Sequence, residues 1–210
     1  MLTQLQFIRT IKLTAFLKLL INNMHREYSV VLIKPDGIGK RLIGEITTRF
    51  EKIGLNLIAC KLVMIDKKMA TQHYGGSNNK WYEDVGQKLL NFYKEHGKDP
   101  KEEIGTMNPK KIGQLVQKWN VDYLTEGTVL AMIWQGPHAI EIIRKIVGPT
   151  YPQIAPPGTI RGDFSYDSPL LADTNLRAVH NLVHASASIE EAKFERQLWF
   201  KENEIFGVKT

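Results

Sequence analysis

The chain has 210 residues and a mass of 24.0 kDa, with 43% hydrophobic and 24% charged residues, which excludes a wholly disordered chain and fits one core-forming domain. The formal net charge is +6, but residues 1–23 hold Arg9, Lys12 and Lys18 and no acid, so the remaining 25 basic and 22 acidic residues leave +3, which suits a small polyanion and argues against nucleic acid. The single cysteine, Cys60, excludes an internal disulfide framework and suits a reducing compartment such as the cytoplasm.

Residues 1–23 place Leu5, Ile8, Ile11, Ala15 and Leu19 near helical spacing. The longest apolar run there is short of the roughly 20 residues a bilayer needs, and no small-residue cleavage site closes the segment. An N-terminal extension ahead of a start at Met24 and an organelle-targeting segment both stay open. Ser29–Ile33 is a continuous β-branched run, the pattern of a strand buried on both faces. Lys34-Pro35-Asp36-Gly37 reads as a turn. Ile43, Ile46, Phe50 and Ile53 recur at helical spacing up to a stop at Gly54. Leu55–Ile65 reads as a strand, and Asp66 as the cap of a short helix to about His73. Lys88–Glu95 reads as a helix ended by Gly97. Asn108-Pro109 opens another to about Trp119. Residues 83–126 as a whole are polar, Lys-rich and loop-prone, the composition of an insertion. Thr128–Trp134 is an apolar strand, Pro137–Val147 a helix stopped by Gly148, and Leu182–Ser186 a strand. Ser188-Ile189-Glu190-Glu191 has capping-box form and starts a helix through Leu198.

Several chemistries are missing. There is no G-x-x-x-x-G-K-[ST], no G-x-G-x-x-G, no C-x-x-C and no H-E-x-x-H. His180 and His184 are four apart, but no third metal ligand accompanies them. What remains is a set of groups suited to a polyphosphate. Lys34 ends a buried strand, where a cation is costly without an anionic partner. Arg144 lies on the helix before Gly148-Pro149-Thr150, and Arg161 sits in the glycine-bearing stretch Pro157–Phe164. Such cations spread charge over phosphoryl oxygens, although each alone is equally a solvated or paired surface charge. His184, in Asn181–Ser188 (NLVHASAS), reads either as a hydrogen-bonded core histidine or as a nucleophile whose second nitrogen is held by an acceptor such as Glu195. Spacing alone leaves that pair undecided.

Together, Tyr28–Gly37 (YSVVLIKPDG), Gly44–Gly54 (GEITTRFEKIG), Pro157–Phe164 (PGTIRGDF) and Asn181–Ser188 resemble the nucleoside diphosphate kinase family. The resemblance spans about residues 26–82, 127–166 and 179–200. It implies an α/β (α+β) fold: a ferredoxin-like sandwich with a four-stranded antiparallel sheet, here over residues 24–210 with a helical insertion at about 83–126. It implies ping-pong transfer of the γ-phosphoryl group of a nucleoside triphosphate to a nucleoside diphosphate, with Mg²⁺ held mainly by the nucleotide phosphates. By motif, His184 would become phosphohistidine, with Glu195 orienting it and Ser186 beside it. Lys34, Tyr74, Arg144, Thr150, Arg161 and Asn181 would hold phosphates and ribose. Counting from Tyr74 selects Tyr82 to stack on the base, with Trp81 as the alternative. A homo-oligomer, tetramer or hexamer, and no membrane span are also implied. A weakly catalytic nucleotide-binding scaffold is the alternative within the family. The chain departs from the family pattern at Ala185 and Ala187, in the insertion, in the long connection 165–178, and after Phe200.

Overall fold

The computed structural model describes residues 26–75 and 78–206; the readings of residues 1–23 and of Met24 lie outside them. The central strand β1 (Arg26–Ile33) holds Val30, Val31, Leu32 and Ile33 with no solvent exposure. A strand buried on both faces has no polar side to alternate with, so its sequence is a continuous apolar run. A short helix α1 (Pro35–Gly39) follows where a turn was expected. Pro35 occupies its first position, where the missing N–H costs nothing. Next come α2 (Ile43–Lys52), which turns Ile46 and Phe50 inward, and Gly54, whose φ of +84° reverses the chain.

Strand β2 (Asn56–Val63) leads to α3 (Lys67–His73), capped by Asp66, whose side chain accepts from the Met69 N–H. The segment read as an insertion is helical, as its two expected helices implied, and more extensively so: α4 (Asn79–Glu95), α5 (Pro100–Ile104) and α6 (Pro109–Thr125). Helix α4 begins nine residues before the expected Lys88, on an Asn78 cap, and α6 runs six residues past Trp119. Its lysines and acids lie on solvated faces, which hid the helices from a composition reading. Gly86 and Gly113 let the two long helices touch backbone to backbone. A Cβ on Gly86 would lie 1.9 Å from the Pro109 carbonyl oxygen, and one on Gly113 2.0 Å from that of Tyr82.

Strand β3 (Val129–Pro137), α7 (Ala139–Val147), α8 (Ile160–Phe164), α9 (Pro169–Thr174), β4 (Val183–Ala185) and α10 (Ile189–Trp199) complete the chain. The sheet order is β2-β3-β1-β4, with every neighbouring pair antiparallel. One face packs Val31, Ile33, Met132 and Trp134 against α2 and α7. The other packs Val30, Leu32, Ala131 and Ile133 against α3, α6 and Trp199. Helix α9, in the long 165–178 connection, docks on α4 through Tyr93, whose hydroxyl donates to Asp173 at 2.5 Å. Two of the chain's departures from the family pattern therefore meet each other. Among the described residues no helix is long and apolar enough to cross a membrane.

Candidate active site

Strand β4 pairs His184 with Leu32, so the histidine rises from the sheet beside the end of β1. The chain enters this strand through Leu182, held at a φ of +68°. That strained entry is fixed by Asp36, whose carboxylate accepts from the Leu182 N–H at 3.1 Å and the Gly37 N–H at 2.8 Å. Asp36 had been read only as part of a turn. Its partner is 146 residues away, so sequence spacing carried no signal of it.

His184 keeps 17% of its side chain exposed. Its Nε2 lies 2.5 Å from Oε1 of Glu195, which α10 brings in with 1% exposed, in a close approach without the linear geometry of a hydrogen bond. Burial lowers the pKa of His184; Glu191 opposes this, and Lys34, Arg161 and Arg144 add to it, so the ring is neutral near pH 7. Burial raises the pKa of Glu195, and the Ser186 hydroxyl that donates to it opposes the rise. Ser186 is fully buried and faces Glu195 rather than the cleft: its hydroxyl donates to Oε2 at 2.6 Å and accepts from the Val30 N–H at 3.0 Å. The Ser188 cap forms as expected, accepting from the Glu191 N–H. The Glu191 carboxylate, however, accepts from the Ala187 N–H rather than from Ser188, so the expected box is shifted by one residue.

The cationic groups converge as expected, with different duties. Lys34 is 5% exposed and donates to Asn181 Oδ1 at 2.8 Å, and burial, with help from Arg161, drives its pKa down to about 7. Arg161 donates to the carbonyl oxygens of Asn181, Gly148 and Val183, stapling the approach to β4; burial and Arg144 lower its pKa to about 10, still high enough to keep it protonated near pH 7. Asn181 also donates to the Thr150 carbonyl at 3.0 Å. Arg144 and Thr150 are exposed. The Tyr74 hydroxyl is buried without a hydrogen-bond partner, and burial together with Glu195 pushes its pKa far up, so it is an unused donor. Buried donors facing fixed positive charge suit phosphoryl oxygens. Among the described residues, the one grouping with metal-ligand chemistry is His73, His184 and Glu195; two nitrogens and one carboxylate do not make a magnesium cage.

Tyr82 is not where the count from Tyr74 put it. It is 8% exposed and points into the α4–α6 contact, where its hydroxyl donates to Gln117 at 2.9 Å and the Gln117 amide donates to the Tyr74 carbonyl at 2.7 Å. Trp81, one position round the helix, does line a cleft of about 720 Å³ that borders the site at Thr150 and Asn181. So do Val116, Trp119 and Asn120 of α6, facing Thr150, Tyr151 and Ala178. The count from Tyr74 lands on the face of α4 that packs against α6, one position from Trp81 on the face that lines the cleft, and nothing in the count points to Trp119 on α6.

The family model described as nucleoside diphosphate kinase matches residues 27–96 and 86–205. A protein named nucleoside diphosphate kinase from Pyrobaculum aerophilum is 46% identical over 179 residues, 85% of this chain and 97% of that one. One of the same name from Borreliella burgdorferi is 32% identical over 183 residues, covering 86% and 91% of the two chains. The crystal structure of an NDP kinase from Pyrobaculum aerophilum superposes with a TM-score of 0.83 at 44% identity, covering 87% of this chain and all of that one. A transition-state mimic of the Borrelia burgdorferi nucleoside-diphosphate kinase, with bound vanadate and ADP, gives a TM-score of 0.70 at 31% identity, covering 89% and 94%.

Proposed function

The chain belongs to the nucleoside diphosphate kinase family, and on that footing we propose that His184 carries the phosphoryl group between nucleotides. The activity is exchange of a terminal phosphoryl group between a nucleoside triphosphate and a nucleoside diphosphate. In our reading the triphosphate enters as its magnesium complex, its phosphates against Lys34, Arg144, Arg161 and Tyr74. The surrounding groups are cations and hydroxyls rather than a set of oxygen ligands, so Mg²⁺ stays with the phosphates as part of the substrate.

The lone pair of His184 Nδ1 forms a bond to the γ-phosphorus as the bond from phosphorus to the bridging oxygen breaks, and that electron pair leaves with the diphosphate. No proton has to leave Nδ1, because burial keeps the ring neutral and Glu195 draws its one proton to Nε2. The ring gains positive charge in the transfer, and Glu195 at Nε2 balances it. Ser186 acts on Glu195 rather than on substrate. A second diphosphate then takes the phosphoryl group by the reverse path. The observation that carries this reading is the 2.5 Å approach of Nε2 to a buried carboxylate, which leaves Nδ1 to meet the phosphorus. Intact mass after incubation with ATP and Mg²⁺ tests it: one acid-labile phosphoryl group should be gained and then lost on adding GDP. Bound nucleotide with no mass gain would instead identify a scaffold.

For the nucleoside, Asn181 and Thr150 suit the ribose, and the cleft aromatics Trp81 and Trp119, the latter 7% exposed, offer the base a π-face that tolerates any base. We also read residues 24–210 as one such unit, in the cytoplasm and as a homo-oligomer of four or six copies. Strand β2 is a sheet edge with exposed Leu57 and Leu62, a surface that needs covering. Sedimentation of the purified chain checks this last point; a monomer would refute it.

A further inference from the structure

His73 closes α3 with no exposed side-chain surface. Its ring stands edge-on to that of His184, the centroids 4.5 Å apart and the planes at 81°. Behind it, the Trp199 indole N–H donates to His73 Nδ1 at 3.3 Å. An imidazole nitrogen that accepts leaves the ring proton on the other, so His73 carries it on Nε2. Burial, then the neighbouring His184, lowers its pKa to about 3, so it adds no charge. Its Nδ1 also lies 3.5 Å from Glu195 Oε1, acceptor facing acceptor. His73 therefore gives the carboxylate no proton, and Glu195 is left to Ser186 on one oxygen and His184 on the other.

Nothing in the transfer chemistry above uses His73, yet its ring fills the space beside the nucleophile. A half-turn of His184 about Cβ–Cγ exchanges Nδ1 with Cδ2 and takes Nε2 off the carboxylate. A rotated ring therefore offers carbon to the phosphorus, or presents Nε2 instead. Packing at van der Waals contact is what forbids such rotation. We propose that His73 is a positioning residue: given His184 as the phosphoryl carrier, it holds that ring in the single orientation that keeps Nε2 on Glu195 and offers Nδ1 to the γ-phosphorus. Because α3 packs on α6, whose Val116 and Trp119 wall the cleft, the same contact ties the nucleophile to the nucleotide-binding wall.

The test is phosphorus NMR of the intact phosphoenzyme, which separates Nδ1- from Nε2-phosphohistidine, together with steady-state kinetics. Wild type should show the Nδ1 isomer alone. His73→Ala and His73→Asn, both smaller, should show a mixture, with kcat lowered roughly tenfold or more at unchanged KM. His73→Phe restores a ring and should return the single isomer, with kcat within about threefold of wild type. Should the alanine variant fail to fold, the Asn and Phe pair decides. The proposal is overturned if the smaller variants, folded by circular dichroism, give the Nδ1 isomer alone at wild-type kcat, or if the Phe variant behaves as the smaller ones do. A wild-type protein without phosphohistidine overturns the reading of His184, and the positioning role with it.

Discussion

Replacing Lys34 by methionine should stabilise the ligand-free protein while ending nucleotide binding. Lys34 is 5% exposed, with Asn181 Oδ1 accepting from it at 2.8 Å, Arg161 repelling it and Asp36 the nearest compensating charge. Moving its pKa from 10.5 to about 7 corresponds to roughly 5 kcal/mol, at about 1.4 kcal/mol per tenfold change in proton affinity. Methionine keeps most of the stem but leaves Asn181 Oδ1 without its donor, a loss of about 1–3 kcal/mol. The expected net gain is on the order of 2–4 kcal/mol. The sign with pH follows from linkage. Between pH 7 and 10.5 the unfolded chain binds more protons at this residue than the folded one does, so wild-type stability rises across that window. The variant's advantage should be full at pH 6.5, shrink across the window and reverse by pH 10, where only the lost donor to Asn181 is left. Urea unfolding at several pH values and one protein concentration measures it, and a thermal-shift assay with ATP should show stabilisation of wild type only. A variant that is less stable at pH 6.5, by an amount independent of pH, would refute the reasoning. A triphosphate supplies the missing counter-charge, so the cost of holding this ammonium unpaired is recovered on binding.

Further outcomes follow from the same geometry. His184→Ala should fold and bind ATP but lose exchange activity by at least roughly a thousandfold; retained exchange in a coupled assay would remove it from the mechanism. Glu195→Gln, which keeps the shape but not the charge facing Nε2, should lower kcat about ten- to a hundredfold with little change in ATP affinity, read by stopped-flow and calorimetry. Trp119→Ala should raise KM for nucleotides by about tenfold, consistent with stacking worth 1–3 kcal/mol, whereas Tyr82→Phe should leave KM alone and cost about 1 kcal/mol of stability. The reverse pattern would restore Tyr82 to the base site. Gly113→Ala should lower Tm by several degrees, because its Cβ would sit 2.0 Å from the Tyr82 carbonyl oxygen; an unchanged melting curve would mean the helices part freely.

The elements that sequence revealed are those whose signal is local. The β-branched run of β1, the Asp66 and Asn108 caps and the Gly54 and Gly148 stops each declare themselves within a few residues. Helix α4 declared only its second half, Lys88–Glu95, because Gly86 at its centre breaks the pattern, and that glycine is explained only by the backbone of Pro109 on another helix. The same division runs through the site. Lys34 and His184 could be suspected from a charge or an imidazole in an apolar strand. The contacts that matter at the site, Asp36 with the Leu182 N–H and His73 with His184 and Trp199, span more than a hundred residues, so no spacing in the chain points to them. Tyr82 failed as a choice because a count along the chain does not say which face of α4 a residue takes, and Tyr82 takes the one packed on α6.

The shortness of β4 explains why a serine stands two residues after the histidine. Backbone pairing between β1 and β4 ends at Val31 opposite Ala185. Ser186 still donates its N–H to the Val30 carbonyl at 3.1 Å, but the Val30 N–H, buried in the central strand, has no backbone acceptor there and takes the Ser186 hydroxyl oxygen instead, at 3.0 Å. With that oxygen fixed as an acceptor, the hydroxyl proton turns to Glu195 Oε2, at 2.6 Å. The other carboxylate oxygen then faces His184 Nε2, and the proton drawn there leaves the Nδ1 lone pair uncovered. In the proposed mechanism the tautomer of His184 is thus set by a buried amide of the central strand β1, through two side chains. By this logic Ser186→Ala would harm the reaction without removing any group that touches substrate: it strands a buried N–H and frees the Glu195 carboxylate at once. It should lower kcat while leaving nucleotide affinity intact, and an affinity loss of comparable size would mean that Ser186 meets the ligand after all.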